Sequence, residues 1–151
     1  KKQNYYRVIK SKIDELGLRS KVFYPGYIDY CDLPYLYKMS EMLIMPTLFE
    51  SISIPIYEAF SLRVPVCASN VEALPEQVGD CGLIFDPNNA EDMSEKIIKL
   101  ITDKNLRDQM VDKAYSKIYS MQKMVSNRMG DNSTTYLKMG KLSPLANWKE
   151  K

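Results

Sequence analysis

Hydrophobic positions recur at helical spacing from Asn4 to Leu16, where Tyr5, Val8, Ile9, Ile13 and Leu16 fall on one stripe and Gly17 follows as a stop. The spacing predicts a helix with one buried face. Lys21, Val22, Phe23 and Tyr24 then read as a short strand closed by the turn pair Pro25–Gly26. Asp32, Leu33, Pro34 and Tyr35 open a second helix, with Asp32 at the N-cap and Pro34 in the tolerant first turn. Met42 to Met45 is a continuous apolar run ending at Pro46, the pattern of a strand buried on both faces of a parallel sheet.

The alternation continues. Ile54 to Leu62 predicts a helix buried nearly all round, Pro65 to Ala68 a strand, Leu74 to Val78 a helical turn or two, and Gly82 to Phe85 a last strand. From Asn89 the chain turns helical, with Met93, Ile97, Leu100 and Ile101 on one stripe and Asn89 to Asp92 resembling a capping box. A further amphipathic helix carries Leu106, Met110, Ala114 and Ile118. Asp131 to Thr135 interrupts the pattern, and Tyr136 to Leu142 reads as a short terminal helix. Short apolar strands separated by helices predict an α/β domain with a mostly parallel sheet.

Composition matters chiefly for what it excludes. The 151 residues suit one domain, and no apolar run approaches the ~20 residues of a membrane span. The net charge of +2 is spread along the chain, so no basic stripe argues for nucleic acid. With no histidine, the usual general base, the Ser-His and Cys-His pairs and the commonest metal ligand are all missing. No Asp-x-Asp pair is present to hold a divalent ion against a diphosphate, so no metal or cofactor is expected. Cys31, Cys67 and Cys81 lack metal-ligand spacing and read as reduced core thiols in a cytoplasmic setting.

The informative stretch runs from Thr47 to Phe60, from the end of a predicted strand through a loop into a helix. Ligands of parallel sheets bind at such carboxyl ends, where a helix N-terminus offers free amides and partial positive charge. The loop carries neither G-x-G-x-x-G nor G-x-x-x-x-G-K. It carries Glu50 on the loop and Glu58 in the second turn of an otherwise apolar helix. A carboxylate there either complements the helix dipole, for up to about 1 kcal/mol, or accepts hydrogen bonds from a ligand.

The pair sits in a Phe-Glu-x-x-x-x-Pro-x-x-Glu-Ala frame that resembles the Glu-x7-Glu motif of the retaining GT-B glycosyltransferases of family 4 (glycosyl transferases group 1). Val22 to Gly26, Met45 to Thr47, Pro65–Val66, Ala68 to Asn70, Leu74 to Glu76, Gly79–Asp80 and Gly82 to Pro87 follow in that family's order, covering about residues 20–120. The resemblance implies a Rossmann-like three-layer α/β domain with a mostly parallel sheet, part of the C-terminal half of a GT-B fold. Residues 1–151 then form an incomplete C-terminal nucleotide-sugar-binding domain, with an α/β core over about 1–121 and a helical tail over about 122–151.

The resemblance also implies site roles. Glu50 is the catalytic, sugar-contacting acid, Ile52, Ser53 and Ile54 present backbone amides to sugar and diphosphate, Glu58 holds the ribose, and the Tyr27–Ile28 loop faces the base. The implied activity is transfer of a sugar from a nucleoside-diphosphate donor, with retention of configuration, to an unidentified acceptor. The alternatives are a non-catalytic nucleotide-sugar-binding or interaction module and a GT-B-fold nucleotide-sugar epimerase; the Glu-x7-Glu frame favours the transferase.

Several consequences are expected from the same resemblance. The acceptor domain and diphosphate-binding cations would lie N-terminal to this chain, which by itself would be inactive and prone to self-association through an uncovered sheet edge. Any peripheral membrane association would come from that N-terminal domain. Three positions depart from the family: Ser51, Ser53 and Arg63 stand where glycine is common, so a positive φ at either serine would impose strain, whereas Arg63 near a helix C-terminus suits the dipole.

Overall fold

The computed structural model describes residues 4–129. The expected Tyr136–Leu142 helix and the tail beyond it lie outside the described residues. The chain forms α1 (Asn4–Glu15), α2 (Leu33–Met39), β1 (Leu43–Met45), α3 (Ile54–Ser61), β2 (Val66–Ser69), α4 (Leu74–Val78), β3 (Leu83–Phe85), α5 (Ala90–Thr102) and α6 (Lys104–Met129). The strands make one parallel sheet in the order β1-β2-β3. Leu43 pairs with Val66 and Met45 with Ala68, while Cys67 pairs with Leu83 and Ser69 with Phe85. Helical crossovers join successive strands, as parallel pairing requires.

β2 is buried at every position because helices cover both of its faces. On one side Val66 and Ala68 share a core with Ile56, Ala59 and Phe60 of α3, Leu74 and Val78 of α4, and Ala114 and Ile118 of α6. On the other, Cys67 and Phe85 pack with Leu100 of α5, flanked by Met93, Ile97 and Met110. The two cores give the three layers expected. Asn89 caps α5, its side chain accepting from the Asp92 amide at 3.1 Å, and Asp92 in turn accepts from the Asp86 amide at 2.8 Å. Gly82 is fixed by a close approach, since a Cβ there would lie 2.6 Å from the Val66 carbonyl oxygen.

Six local expectations are corrected. Residues 21–24 form no strand: their strand-like composition finds no neighbouring edge among the described residues, and Phe23 is 82% exposed. α1 forms, but its apolar stripe is not buried; Tyr5, Val8, Ile9 and Leu16 are exposed and only Ile13 is half-covered. Its turn is closed instead by Arg19, which donates twice to Asp14 at 2.8 Å, and by an edge-on contact between Tyr6 and Tyr24.

Asp32 occupies the N-cap position of α2 without capping it, because its helical φ and ψ of −94° and −20° swing the carboxylate away from the first-turn amides. β1 is only partly buried, with one edge unpaired among the described residues. α3 is buried on one face, Ile56–Ala59–Phe60, rather than all round, and Ile54 is exposed. Of the cysteines, Cys67 and Cys81 are buried as expected but Cys31 is exposed. Burial pushes the Cys67 thiol up to about 11, and it stays protonated at neutral pH.

The strain anticipated at the serines falls elsewhere. Neither Ser51 nor Ser53 has positive φ; Arg63, at φ 61°, does. Arg63 follows the C-cap of α3, where its amide donates to Phe60 and the Val64 amide to Ala59, the two bonds of a Schellman stop. An arginine in the left-handed region costs about 1–2 kcal/mol. Its guanidinium offsets part of this by pairing with Asp112 and lying 5.0 Å from the Tyr115 ring centroid, both on α6. That pair is largely exposed and contributes at most about 1 kcal/mol.

Arg63→Ala removes these α6 contacts and keeps the strained backbone, whereas Arg63→Gly removes both. Arg63→Gly should therefore be more stable than Arg63→Ala by about 1 kcal/mol in urea unfolding; equal stabilities would mean that the backbone at 63 carries no strain.

Candidate functional site

The segment between β1 and α3 leaves the carboxyl end of the sheet, and its two ends are tied down by side chains from later in the chain. At the start, Ser69, last residue of β2, donates its hydroxyl to the Thr47 carbonyl at 2.7 Å. The Thr47 hydroxyl in turn donates to the Phe49 carbonyl at 3.0 Å and accepts from the Phe49 amide at 3.3 Å, closing a local turn. At the far end, the buried Gln77 of α4 clamps the Ser53 peptide. Gln77 Oε1 accepts from the Ser53 amide at 2.9 Å, and Gln77 Nε2 donates to the Ser53 carbonyl at 2.6 Å. Lys117 of α6 donates to the Gln77 carbonyl at 2.7 Å and fixes α4 beneath the clamp.

Between these anchors the loop faces outward. Leu48, Phe49, Ile52 and Ile54 are exposed and Glu50 is half-buried, with no hydrogen bond or ion pair to the Glu50 carboxylate among the described residues. Glu58 differs. It is half-buried in the second turn of α3, and its Oε2 accepts a hydrogen bond at 2.9 Å from the Tyr37 hydroxyl. Tyr37 belongs to α2, its ring packs on the larger core, and its hydroxyl also lies 3.5 Å from the Pro55 carbonyl. Burial, then the hydrogen bond to Glu58 and its charge, push the Tyr37 hydroxyl above the ordinary phenol range, so it remains a donor.

The expected amide donors divide in the same way. The Ser53 amide is engaged by Gln77, which corrects the expectation that it is open to a diphosphate. Those of Ile52 and of Ile54, the first residue of α3, meet no protein acceptor among the described residues. The Ser53 hydroxyl is buried without a partner. Tyr27 is 89% exposed and Ile28 half-buried in the loop before α2, and no ring contact or hydrogen bond ties Tyr27 to the glutamate segment among the described residues. The hollow of about 510 Å³ lined by Asp14, Gly17, Arg19 and Ser20 belongs to the α1 turn and shares no residue with this site. Among the described residues no cluster of three His, Cys, Asp or Glu stands ready to hold a metal ion, and no helix is long and apolar enough to cross a membrane.

Tyr37, Gln77 and Ser69 are the members that local pattern misses. Each acts across a sequence separation of 21 to 24 residues, and the only hint was polar residues standing in otherwise apolar surroundings.

Comparison with known proteins adds a lineage to this geometry. The family described as glycosyl transferases group 1 matches residues 2–117. An O-antigen chain mannosyltransferase B of Escherichia coli is 44% identical over 85 residues, 56% of this chain and 22% of that protein. An alpha-D-kanosaminyltransferase of Streptomyces kanamyceticus is 25% identical over 108 residues, 70% of this chain and 28% of that protein. The chain thus spans about a quarter of the length of these relatives. Among solved structures, the C-terminal domain of a group 1 glycosyl transferase, LpcC, from Francisella tularensis superposes with a TM-score of 0.68 at 22% identity, covering 78% of this chain and 62% of that one. Sucrose-phosphate synthase from Thermosynechococcus elongatus gives 0.74 at 21% identity, covering 88% and 34%. At these identities the two structures show the fold, that of the C-terminal half of GT-B proteins.

The clamp on Ser53 is directly testable. Gln77→Leu leaves a buried amide and carbonyl unpaired, at about 1–3 kcal/mol each. Denaturant unfolding should show a loss of at least about 1 kcal/mol, with faster hydrogen exchange at the Ser53 amide. Ser53→Ala, which removes only an unpartnered hydroxyl, should cost far less. Equal losses for the two variants would show that Gln77 does not hold the loop.

Proposed function

Since the chain belongs to the glycosyl transferases group 1, we propose that it forms the donor-binding part of an enzyme that moves a sugar from a nucleoside diphosphate to an acceptor with retention of anomeric configuration. The observation that carries this reading is the division of labour between the glutamates: Glu50 uncommitted on a loop pinned at both ends, Glu58 held on the helix behind it. The relatives named for mannosyl and kanosaminyl transfer support a hexose as the transferred sugar.

In this scheme the diphosphate lies against the N-terminus of α3, where the Ile52 and Ile54 amides and the helix dipole favour negative charge. Glu58 accepts the ribose hydroxyls and fixes the nucleotide along the helix. Glu50 meets the sugar hydroxyls and sets the anomeric carbon in place for attack. The Tyr27–Ile28 loop borders the base. Catalysis then comes from positioning and from stabilising charge on the leaving diphosphate, with no step routed through a metal ion or a histidine.

The two glutamates should fail differently when replaced in the intact protein. Glu58→Gln should weaken nucleoside-diphosphate binding about 10- to 100-fold by calorimetry, since a charge-assisted hydrogen bond contributes roughly 1.5–3 kcal/mol. Glu50→Ala should lower turnover of the sugar donor more than it lowers affinity for the bare diphosphate. If Glu50→Ala abolishes diphosphate binding while Glu58→Gln leaves it intact, the roles are reversed and the proposed binding mode is wrong.

A further inference from the structure

We propose that Tyr37 is a positioning residue that sets the preference of this site for ribose over 2′-deoxyribose by holding the Glu58 carboxylate in one orientation. The inference rests on the assignment of Glu58 to the ribose and adds a residue from a different helix to that subsite.

A glutamate side chain has three rotatable torsions, and on a half-exposed helix face its carboxylate would sample several of them. Here one oxygen is fixed. Oε2 of Glu58 accepts from the Tyr37 hydroxyl at 2.9 Å, and the Tyr37 ring is itself held against the core that contains Ile56, Ala59 and Phe60. A phenol has a single proton to donate, and the geometry gives it to the carboxylate; the Pro55 carbonyl, at 3.5 Å, is at the limit of bonding distance. A carboxylate offers about four acceptor positions. With one taken by Tyr37, Oε1 and the remaining lone pair of Oε2 stay available, side by side and oriented.

Two adjacent acceptors match two adjacent donors, the 2′- and 3′-hydroxyls of a ribose. A 2′-deoxyribose fills only one and leaves the other acceptor without its bond. If the carboxylate were free to turn, it could recentre on the one remaining hydroxyl and recover part of that loss. Held by Tyr37 it cannot, so discrimination depends on the phenol even though the phenol need not touch the ligand. The raised ionisation range of Tyr37 keeps its proton in place across the working pH range.

The test compares affinities of the intact protein for UDP, GDP and ADP and for the 2′-deoxy counterpart of whichever binds, using wild type, Tyr37→Phe, Glu58→Gln and the double variant. Wild type should prefer the ribonucleotide by about tenfold or more. Tyr37→Phe, which removes one oxygen and keeps the ring in the core, should shrink that preference about three- to tenfold by weakening ribonucleotide binding. Affinity for the deoxynucleotide should stay near the wild-type value, because the freed carboxylate can recentre on the single hydroxyl and this offsets the cost of ordering it on binding. On the Glu58→Gln background, Tyr37→Phe should have no further effect on the ratio.

A Tyr37→Phe protein that keeps the full preference overturns the inference while leaving Glu58 on the ribose. So does one that weakens both nucleotides equally, which is the mark of a merely structural role. If Glu58→Gln also keeps the preference, or if wild type binds none of the three nucleotides, the assignment of Glu58 fails and the inference fails with it.

Discussion

Everything at the site depends on the burial of one face of α3 against the central strand. Ile56, Ala59 and Phe60 are fully buried with Val66 and Ala68, and burying side chains the size of Ile56 and Phe60 stabilises by roughly 1.5–3 kcal/mol each. That contact fixes both the rotation and the height of the helix. It turns Glu58 toward Tyr37 and leaves the amide end of α3 at the carboxyl edge of the sheet, where the loop from β1 arrives. Had α3 been buried all round, neither Ile54 nor Glu58 would be reachable by a ligand.

Once the helix is seated, the loop between Thr47 and Ser53 has little freedom left. Ser69 and Gln77 hold its ends through the peptide backbone rather than through side chains, so the geometry is insensitive to which residues occupy the exposed middle. This arrangement presents Glu50 without engaging it: among the described residues its carboxylate makes no hydrogen bond or ion pair, while Thr47 and Ser53 on either side are fixed. The same arrangement accounts for serine standing at 51 and 53, since neither needs the left-handed backbone that would demand glycine. Of the three positions where serine or arginine stands for glycine, only Arg63 adopts that backbone; it closes the other end of α3 and ties it to α6.

Much of this was legible in the sequence because it is local or periodic. The runs around Met45, Cys67 and Ile84 became the three strands, the Asn89 cap is where the pattern put it, and the Glu50–Glu58 frame was visible as a motif. What the sequence withheld was non-local. Val22 to Tyr24 has the composition of a strand, but a strand exists only where another edge accepts it. The α1 stripe has helical period, yet periodicity does not say whether a neighbour covers the stripe. Tyr37 and Gln77 reach the site from other helices, and no spacing rule marks a tyrosine or glutamine for such a contact. Ser53 shows the same limit from within the motif, since its amide is engaged by a side chain 24 positions away.

In the proposed scheme the ribose rests on Glu58, the diphosphate on the amides before α3 and the sugar beside Glu50, and the sugar is transferred with retention of its anomeric configuration. The central claim is therefore stereochemical. The most direct measurement is the one-bond carbon–proton coupling at the anomeric centre of the product formed by the intact protein from an α-configured nucleoside-diphosphate hexose. The account predicts an α-linked product from the earliest time points; a β-linked product would contradict it.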